Sequence, residues 1–211
     1  DEYLSGNVRD KLRVAELAYQ EDETYSANVE ALKQAQPKDL TASEIDVRLG
    51  ATWIDKNYIE QFMYETFHTP YYQRRHIRVS FATVTGEWQI SSKNTIYDGD
   101  VSAYTQYGTE RMNAYAILEQ TLNLRSVTVY DRVTDADGTV RSVVNPRETM
   151  FAQQKQSAIK EAFAAWIWKD PQRRMALEKE YNERFNSLRP AEFSGEHINF
   201  VGMNPLIGLR T

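Results

Sequence analysis

The sequence predicts an α+β fold, in which a helical N-terminal lobe packs on a small antiparallel sheet of two hairpins and long helices follow toward the C-terminus. Three observations predict this fold class. Apolar residues recur at helical spacing in the first and last thirds of the chain. In the middle third they alternate with polar residues, as in half-buried strands. Proline and glycine residues separate these segments.

Four helices are expected in the N-terminal lobe. Ser5 is a candidate N-cap for the first, and the second covers Ser26–Gln36, before Pro37. Thr41-Ala-Ser-Glu44 has the spacing of a capping box and predicts a third helix that ends at Gly50. A fourth begins at Asp55 or Asn57 and stops at Pro70.

Two hairpins and one helix are expected in the middle of the chain. Residues 75–91 alternate around a Thr85-Gly86 turn, and a second alternating segment surrounds Asp135-Ala-Asp-Gly138. Residues 92–108 are polar and read as a long loop, and Thr109 is a candidate cap for the helix that follows. We expect both hairpins to contribute to one sheet.

The last third contains two clear helix starts. Asn145-Pro146 and Asp170-Pro171 each combine a capping side chain with proline at the first helical position. After Pro190 the periodicity is lost. The sequence therefore predicts a helical lobe at 1–70, an α+β core at 71–190 and an extended tail at 191–211.

Composition limits the function classes. The chain has 211 residues, a net charge of −5 and no cysteine, which excludes disulfides, a thiol nucleophile and cysteine-based metal sites. No apolar run is long enough for a membrane helix and no signal-peptide pattern opens the chain, so we expect a cytoplasmic protein without membrane contact. Residues 1–70 hold 14 acidic and 7 basic residues, which disfavours nucleic-acid contact there.

Motifs for catalysis and cofactor binding are missing from the sequence. There is no Walker A loop, no Gly-x-Gly-x-x-Gly and no His-Glu-x-x-His. An EF-hand frame on Gly138 would place Val133 and Val144 where acidic ligands are needed. We therefore predict no catalytic residue, no metal site and no cofactor within this chain, and we do not expect it to be an enzyme.

The segment Tyr71–Arg78 is the strongest candidate for a binding site. It interleaves aromatic and cationic side chains, which suits stacking on bases and contact with phosphates. Its candidate nucleic-acid-binding residues are Tyr71, Tyr72, Arg74, Arg75 and Arg78. The alternative is structural: the tyrosines would pack at a helix-to-strand junction and the arginines would neutralise the acidic helices.

A second cationic cluster accompanies the start of the last predicted helix. Lys169, Arg173 and Arg174 could meet a phosphate at that helix N-terminus, although the capping Asp170 would compete with an anion. These three are the remaining candidate nucleic-acid contacts. The nearby aromatic residues Phe163, Trp166 and Trp168 are more typical of a core than of a ligand platform.

Several longer phrases carry a resemblance to a known family. They are Tyr3-Leu-Ser-Gly-Asn-Val-Arg-Asp-Lys-Leu12, Pro37-Lys-Asp-Leu-Thr-Ala-Ser-Glu-Ile-Asp-Val-Arg-Leu-Gly-Ala-Thr-Trp-Ile54, Tyr107-Gly-Thr-Glu-Arg-Met-Asn-Ala-Tyr115, Trp166-Ile-Trp-Lys-Asp-Pro171, Tyr181-Asn-Glu-Arg-Phe-Asn-Ser187 and Phe200-Val-Gly-Met-Asn-Pro205. Together they resemble the central region of large phage and mobile-element proteins that join an adenine-specific DNA methyltransferase to a Swi/Snf-type helicase. Phage antirestriction proteins look like relatives.

The resemblance implies a connector that carries no catalytic motif of either enzyme. ATP, Mg²⁺ and S-adenosylmethionine would belong to the parent protein, and the tail would lead toward its helicase. The expected partners are the helicase and methyltransferase domains of the same polypeptide, together with DNA. The alternative function is a structural interaction module that docks on one of those domains without touching DNA.

Overall fold

The computed structural model describes residues 2–95 and 100–191, which form an α+β fold, as predicted. The helices, in chain order, are α1 (Val8–Glu21), α2 (Ser26–Gln34), α3 (Lys56–Thr66), α4 (Tyr71–Arg74), α5 (Ala114–Leu122), α6 (Pro146–Ile167) and α7 (Pro171–Phe185). The strands are β1 (Gly6–Asn7), β2 (Val79–Ala82), β3 (Glu87–Ile90), β4 (Tyr130–Thr134), β5 (Val140–Val144) and β6 (Leu188–Arg189). The long helices α6 and α7 confirm the predicted C-terminal helices.

The chain divides into two compact units. The split unit contains Asp1–Ile45 and Glu178–Thr211, and the continuous unit contains Asp46–Leu177. The predicted helical lobe at 1–70 is therefore divided between them. The reason is α3, whose side chains Ile59, Phe62 and Met63 are buried in the core of the continuous unit.

The split unit is built on α1 and α2. Ala15, Val29 and Leu32 form its buried cluster, and β1 pairs antiparallel with β6. The N-cap of α1 is Asn7, whose side chain accepts a hydrogen bond from Asp10 N. The prediction of Ser5 as the cap was wrong, because the Ser5 hydroxyl donates to Glu2 O at 3.0 Å instead.

The third predicted helix is absent, and only one half of its capping box forms. Thr41 N donates to the Glu44 carboxylate at 2.9 Å, but the segment makes a single turn rather than a helix. Side chains of α7 hold the neighbouring backbone: Asn182 bonds both polar backbone atoms of Leu40, and Glu178 accepts from Ala42 N. These side-chain bonds stabilise the turn in place of a continued helix.

The continuous unit has one large hydrophobic core. Helices α3, α5 and α6 and the β2–β3 hairpin supply most of its buried residues. The predicted starts of α3 and α6 are confirmed, because Asp55 accepts from Asn57 N and Asn145 accepts from Glu148 N. The start of α5 was predicted too early: Asn113 is its cap, and Thr109 instead closes a turn with Met112.

The two predicted hairpins are both present, but each is a sheet of its own. In the first, Val79 pairs with Ile90, and Gly86 occupies the turn at a φ of +70°. In the second, Tyr130 pairs with Val144, and all five residues of β5 are exposed. The expectation of a shared sheet was wrong, because β3 and β4 form no ladder with each other.

The predicted loop at 92–108 is partly helical. Ser102–Gln106 forms a π-helical turn in which Ala103 is buried, and residues 96–99 lie outside the described part of the chain. Of the predicted extended tail, residues 192–211 lie outside the described residues as well.

Candidate nucleic-acid interface

A short helix brings the five residues of the first candidate segment together. Helix α4 begins after Pro70, and the chain then enters β2 through Ile77, which is buried. A surface groove of about 480 Å³ lies around α4 and the residues that follow it. Its lining residues are Tyr71, Tyr72, Arg74, Arg75 and Arg78. We call it the Tyr71 groove.

The two tyrosines of the groove face solvent. Tyr71 is 87% exposed and Tyr72 is 66% exposed. The structural alternative, in which both rings pack at the helix-to-strand junction, is therefore wrong. Exposed aromatic rings beside cations provide a surface on which unpaired bases can stack.

Arg75 is exposed and forms no ion pair with the described residues. It lies on the exposed side of the turn, and its Nε donates to His76 Nε2 at 2.9 Å, where His76 is also exposed. The rest of its guanidinium forms no hydrogen bond with the described residues. Arg75 can therefore bind a phosphate without breaking an existing ion pair.

Arg74 is held in place by the wall of the groove. Its Nε donates to Thr69 O at 3.0 Å, and its guanidinium lies 5.2 Å from the centre of the Tyr64 ring. Thr69 is itself buried, and its hydroxyl shares a 2.7 Å hydrogen bond with the Tyr115 hydroxyl. A buried polar pair therefore fixes the carbonyl that orients Arg74.

Arg78 is partly neutralised by a buried acid. Its Nη1 lies 3.1 Å from the Glu60 carboxylate, which also accepts from Val79 N at 2.8 Å. The hydrogen bond and charge of Glu60 raise the pKa of Arg78 above its usual value. The prediction that the arginines neutralise acidic helices holds for this residue, since Glu60 lies on α3.

The second candidate cluster does not form one cationic surface. Arg173 is buried, and its guanidinium donates to Ile167 O at 2.9 Å and to Trp166 O at 2.7 Å. It also lies 3.5 Å from the centre of the Trp166 ring. Arg173 thus satisfies carbonyls at the end of α6 and cannot reach a phosphate, whereas Lys169 and Arg174 are exposed.

The sequence alone did not predict α4, the helix that shapes the Tyr71 groove, or the side chains that support the groove. Pro70, the N-cap of α4, was the available signal, because proline is enriched at the start of helices. Nothing in the local sequence links Tyr115 to Thr69, which lie 46 positions apart.

In residues 2–95 and 100–191, no group of three or more His, Asp or Glu side chains is arranged to hold a metal ion. Within the same residues, no helix is long and apolar enough to cross a bilayer.

Comparison with known proteins places the chain in one family. No curated protein matches it, and no solved structure does. The model of one family matches residues 48–187, which contain the whole Tyr71 groove. The match covers well over half of the chain, so the chain belongs to the family described as Domain of unknown function (DUF8437).

Proposed function

We propose that this chain is a non-catalytic connector domain of a cytoplasmic DNA methyltransferase–helicase protein, and that it contacts DNA through the Tyr71 groove. The observation that carries the DNA contact is the groove itself, where two exposed tyrosines and three arginines line one surface. The connector role is supported by the resemblance of the sequence phrases. ATP, Mg²⁺ and S-adenosylmethionine would act in the neighbouring helicase and methyltransferase domains.

The chemistry of the groove favours a single strand over a duplex. Stacking of an unpaired base on an aromatic side chain contributes about 1 to 3 kcal/mol, and in a duplex the base faces are already occupied. The arginines would contact the phosphates on either side of a stacked base. Each phosphate contact releases counterions, so binding should weaken as salt rises.

Fluorescence anisotropy with labelled single- and double-stranded oligonucleotides across a salt series tests this proposal. The informative variant is Tyr71→Ala with Arg75→Gln, since both side chains are exposed and neither supports the core. Arg74 and Arg78 are left intact because they bond Thr69 O and Glu60. We expect single-strand binding to weaken about tenfold or more, and the salt slope to fall by about one.

The matched control changes the same residue types on the second hairpin. Tyr130→Ala with Arg132→Gln removes one exposed tyrosine and one exposed arginine from β4. This variant should bind DNA as the unchanged protein does. Equal weakening in both variants, or no binding at low salt, would contradict the proposed DNA contact.

An apolar groove in the split unit favours a second candidate function, the docking module. It measures about 430 Å³ and is lined by Val14, Ala18 and Tyr25 among others, with Val14 63% exposed. Three consecutive acids lie at the end of α1: Glu21 is its last residue, and Asp22 and Glu23 follow it. An apolar surface beside acidic residues suits a partner surface that is both basic and apolar.

The docking module has its own test. Titration calorimetry would measure binding of this chain to the helicase and methyltransferase domains of the parent protein. Val14→Asp should abolish binding if α1 is the docking face, and Tyr71→Ala with Arg75→Gln should leave it unchanged. Unaltered binding of the Val14→Asp chain would exclude α1 as the contact.

A further inference from the structure

A second cleft in the continuous unit is lined by cations from three distant parts of the sequence. It measures about 350 Å³ and lies beside the C-terminal end of α5 and one side of α6. Its positive charge comes from Arg48, Arg125 and Lys160. None of the described residues that line the cleft carries a carboxylate. We propose that this cleft, the Arg48 cleft, binds a small phosphate ester with an apolar body.

Two of the three cations are available to an anion. Arg48 and Lys160 are exposed, and their side chains form no hydrogen bond or ion pair with the described residues. Arg125 forms an ion pair with Glu87 through one of its terminal nitrogens. Two uncommitted cations and one partly committed cation around a cleft would attract a doubly charged phosphate.

The floor of the cleft is polar and internally hydrogen-bonded. Gln156 and Thr121 are both buried, and Gln156 Nε2 donates to Thr121 Oγ1 at 3.2 Å and to Arg125 O at 2.8 Å. Gln156 Oε1 accepts from Val127 N at 3.3 Å. Since these groups are satisfied by the protein, they shape the floor rather than require a ligand.

Apolar side chains form the remaining wall. Val47, Leu49 and Leu124 line the cleft together with the cations. Ligand sites commonly combine an apolar lining with a few charged groups that orient the ligand. This combination favours an ester with an apolar body over free inorganic phosphate.

The backbone conformation of Leu124, which also lines the cleft, supports the proposal independently of the charges. Its φ is +57°, in the left-handed region that glycine usually occupies after a helix. A leucine is less favourable there than a glycine, yet its side chain is 67% exposed and gains little from burial. An exposed leucine kept in a strained position at the rim of a cleft is consistent with contact to a ligand.

The cations could instead complement the negative end of α5. Three of its last four carbonyls, however, are already bonded: Asn123 N donates to Glu119 O, Leu124 N to Thr121 O and Arg125 N to Gln120 O. The side chains of Arg48 and Lys160 bond none of these carbonyls. Hydrogen-bonded capping of these carbonyls therefore does not account for the cluster.

Titration calorimetry with phenyl phosphate and with inorganic phosphate tests the proposal. We expect phenyl phosphate to bind, and Arg48→Gln with Lys160→Gln to weaken it at least about tenfold, since two charge-assisted contacts are lost. The control Lys56→Gln with Arg174→Gln removes one exposed lysine and one exposed arginine elsewhere and should bind normally. No binding of phenyl phosphate, or equal weakening in the control, would overturn the proposal.

Two more variants test the apolar contact and the independence of the Arg48 cleft separately. Leu124→Gly fits the backbone and should weaken phenyl phosphate severalfold while leaving inorganic phosphate unchanged. If inorganic phosphate binds as tightly as phenyl phosphate to the unchanged protein, the apolar part of the proposal is wrong. The double variant Tyr71→Ala with Arg75→Gln should bind phenyl phosphate as the unchanged protein does. That result would show that the Arg48 cleft binds independently of the Tyr71 groove.

Discussion

Gly50 lies at a close approach between two segments of backbone. The sequence marked it as the end of a helix, and the structure has no helix there. Its φ is +91°, and a Cβ added to it would lie 2.3 Å from Leu122 O. Glycine is therefore needed for a close approach between the segment before α3 and the end of α5.

Gly50→Ala should destabilise the protein by roughly 2 to 5 kcal/mol, because it combines left-handed strain with a backbone clash. Gly86→Ala is the matched control: its φ is +70°, and an added Cβ would meet nothing within 4 Å. That variant should lose about 1 to 2 kcal/mol from backbone strain alone. Urea denaturation measures both free energies of unfolding, and equal losses would contradict the close approach.

Tyr115 adds a pH dependence to stability at high pH. Burial raises its pKa to about 12 from a usual value of 10.0, against a smaller opposite effect of the Thr69 hydrogen bond. Folding thus favours the neutral hydroxyl. The neutral Tyr115 hydroxyl therefore contributes its full stabilisation of the folded state below pH 10. About 3 kcal/mol of this stabilisation is lost as the pH rises through 12.

Tyr115→Phe should remove this component of the pH dependence and cost about 1 to 2 kcal/mol at neutral pH, because the Thr69 hydroxyl loses its partner. Unfolding free energies of both proteins from pH 8 to pH 12 give the difference directly. Tyr130→Phe, at an exposed position, should follow the unchanged protein. A Tyr115→Phe curve parallel to that of the unchanged protein would contradict the assignment.

At the scale of elements, helix starts were predicted best where capping is local. Asp55, Asn145 and Asp170 each accept a backbone hydrogen bond two or three residues ahead. Such contacts depend on a few neighbouring residues, so the sequence contains the necessary information. The start of α5 was missed because Thr109 closes a local turn with Met112 instead of beginning the helix. The turn at Thr41 was missed because distant side chains bond the neighbouring backbone.

Arg173 stabilises the junction between α6 and α7. Arg173→Lys should lower the free energy of unfolding by roughly 2 to 3 kcal/mol, since a lysine cannot reproduce two fixed guanidinium hydrogen bonds and stacking on Trp166. Arg174→Lys, one residue along and exposed, should change stability by less than about 0.5 kcal/mol. Urea denaturation compares the pair, and similar small effects would show that Arg173 is not a structural cap.

At the scale of the whole molecule, the two units differ greatly in core size. Among the described residues, the continuous unit buries a cluster of 23 hydrophobic side chains and the split unit buries a cluster of Ala15, Val29 and Leu32. The split unit also needs β6 and Asn182 from the far end of the chain. A large continuous core is the usual requirement for folding alone.

Residues 46–187, which keep α7 whole, should therefore unfold cooperatively by circular dichroism in isolation. Residues 1–45 alone should lack a cooperative transition, since their buried cluster is small and their strand partner is missing. The same measurement on the full chain is the reference. A non-cooperative 46–187 fragment would show that the continuous unit depends on the split unit.

The sequence by itself determined the fold class, most helix starts, both hairpins and the clustering of Tyr71 with its neighbouring arginines. These features depend on hydrophobic periodicity, turn residues and adjacency along the chain, all of which act over short distances. The tertiary structure decided that Tyr71 and Tyr72 face solvent and that Arg173 is buried against α6. It also decided that Arg48, Arg125 and Lys160 share one cleft, because only packing brings together residues so far apart in the chain.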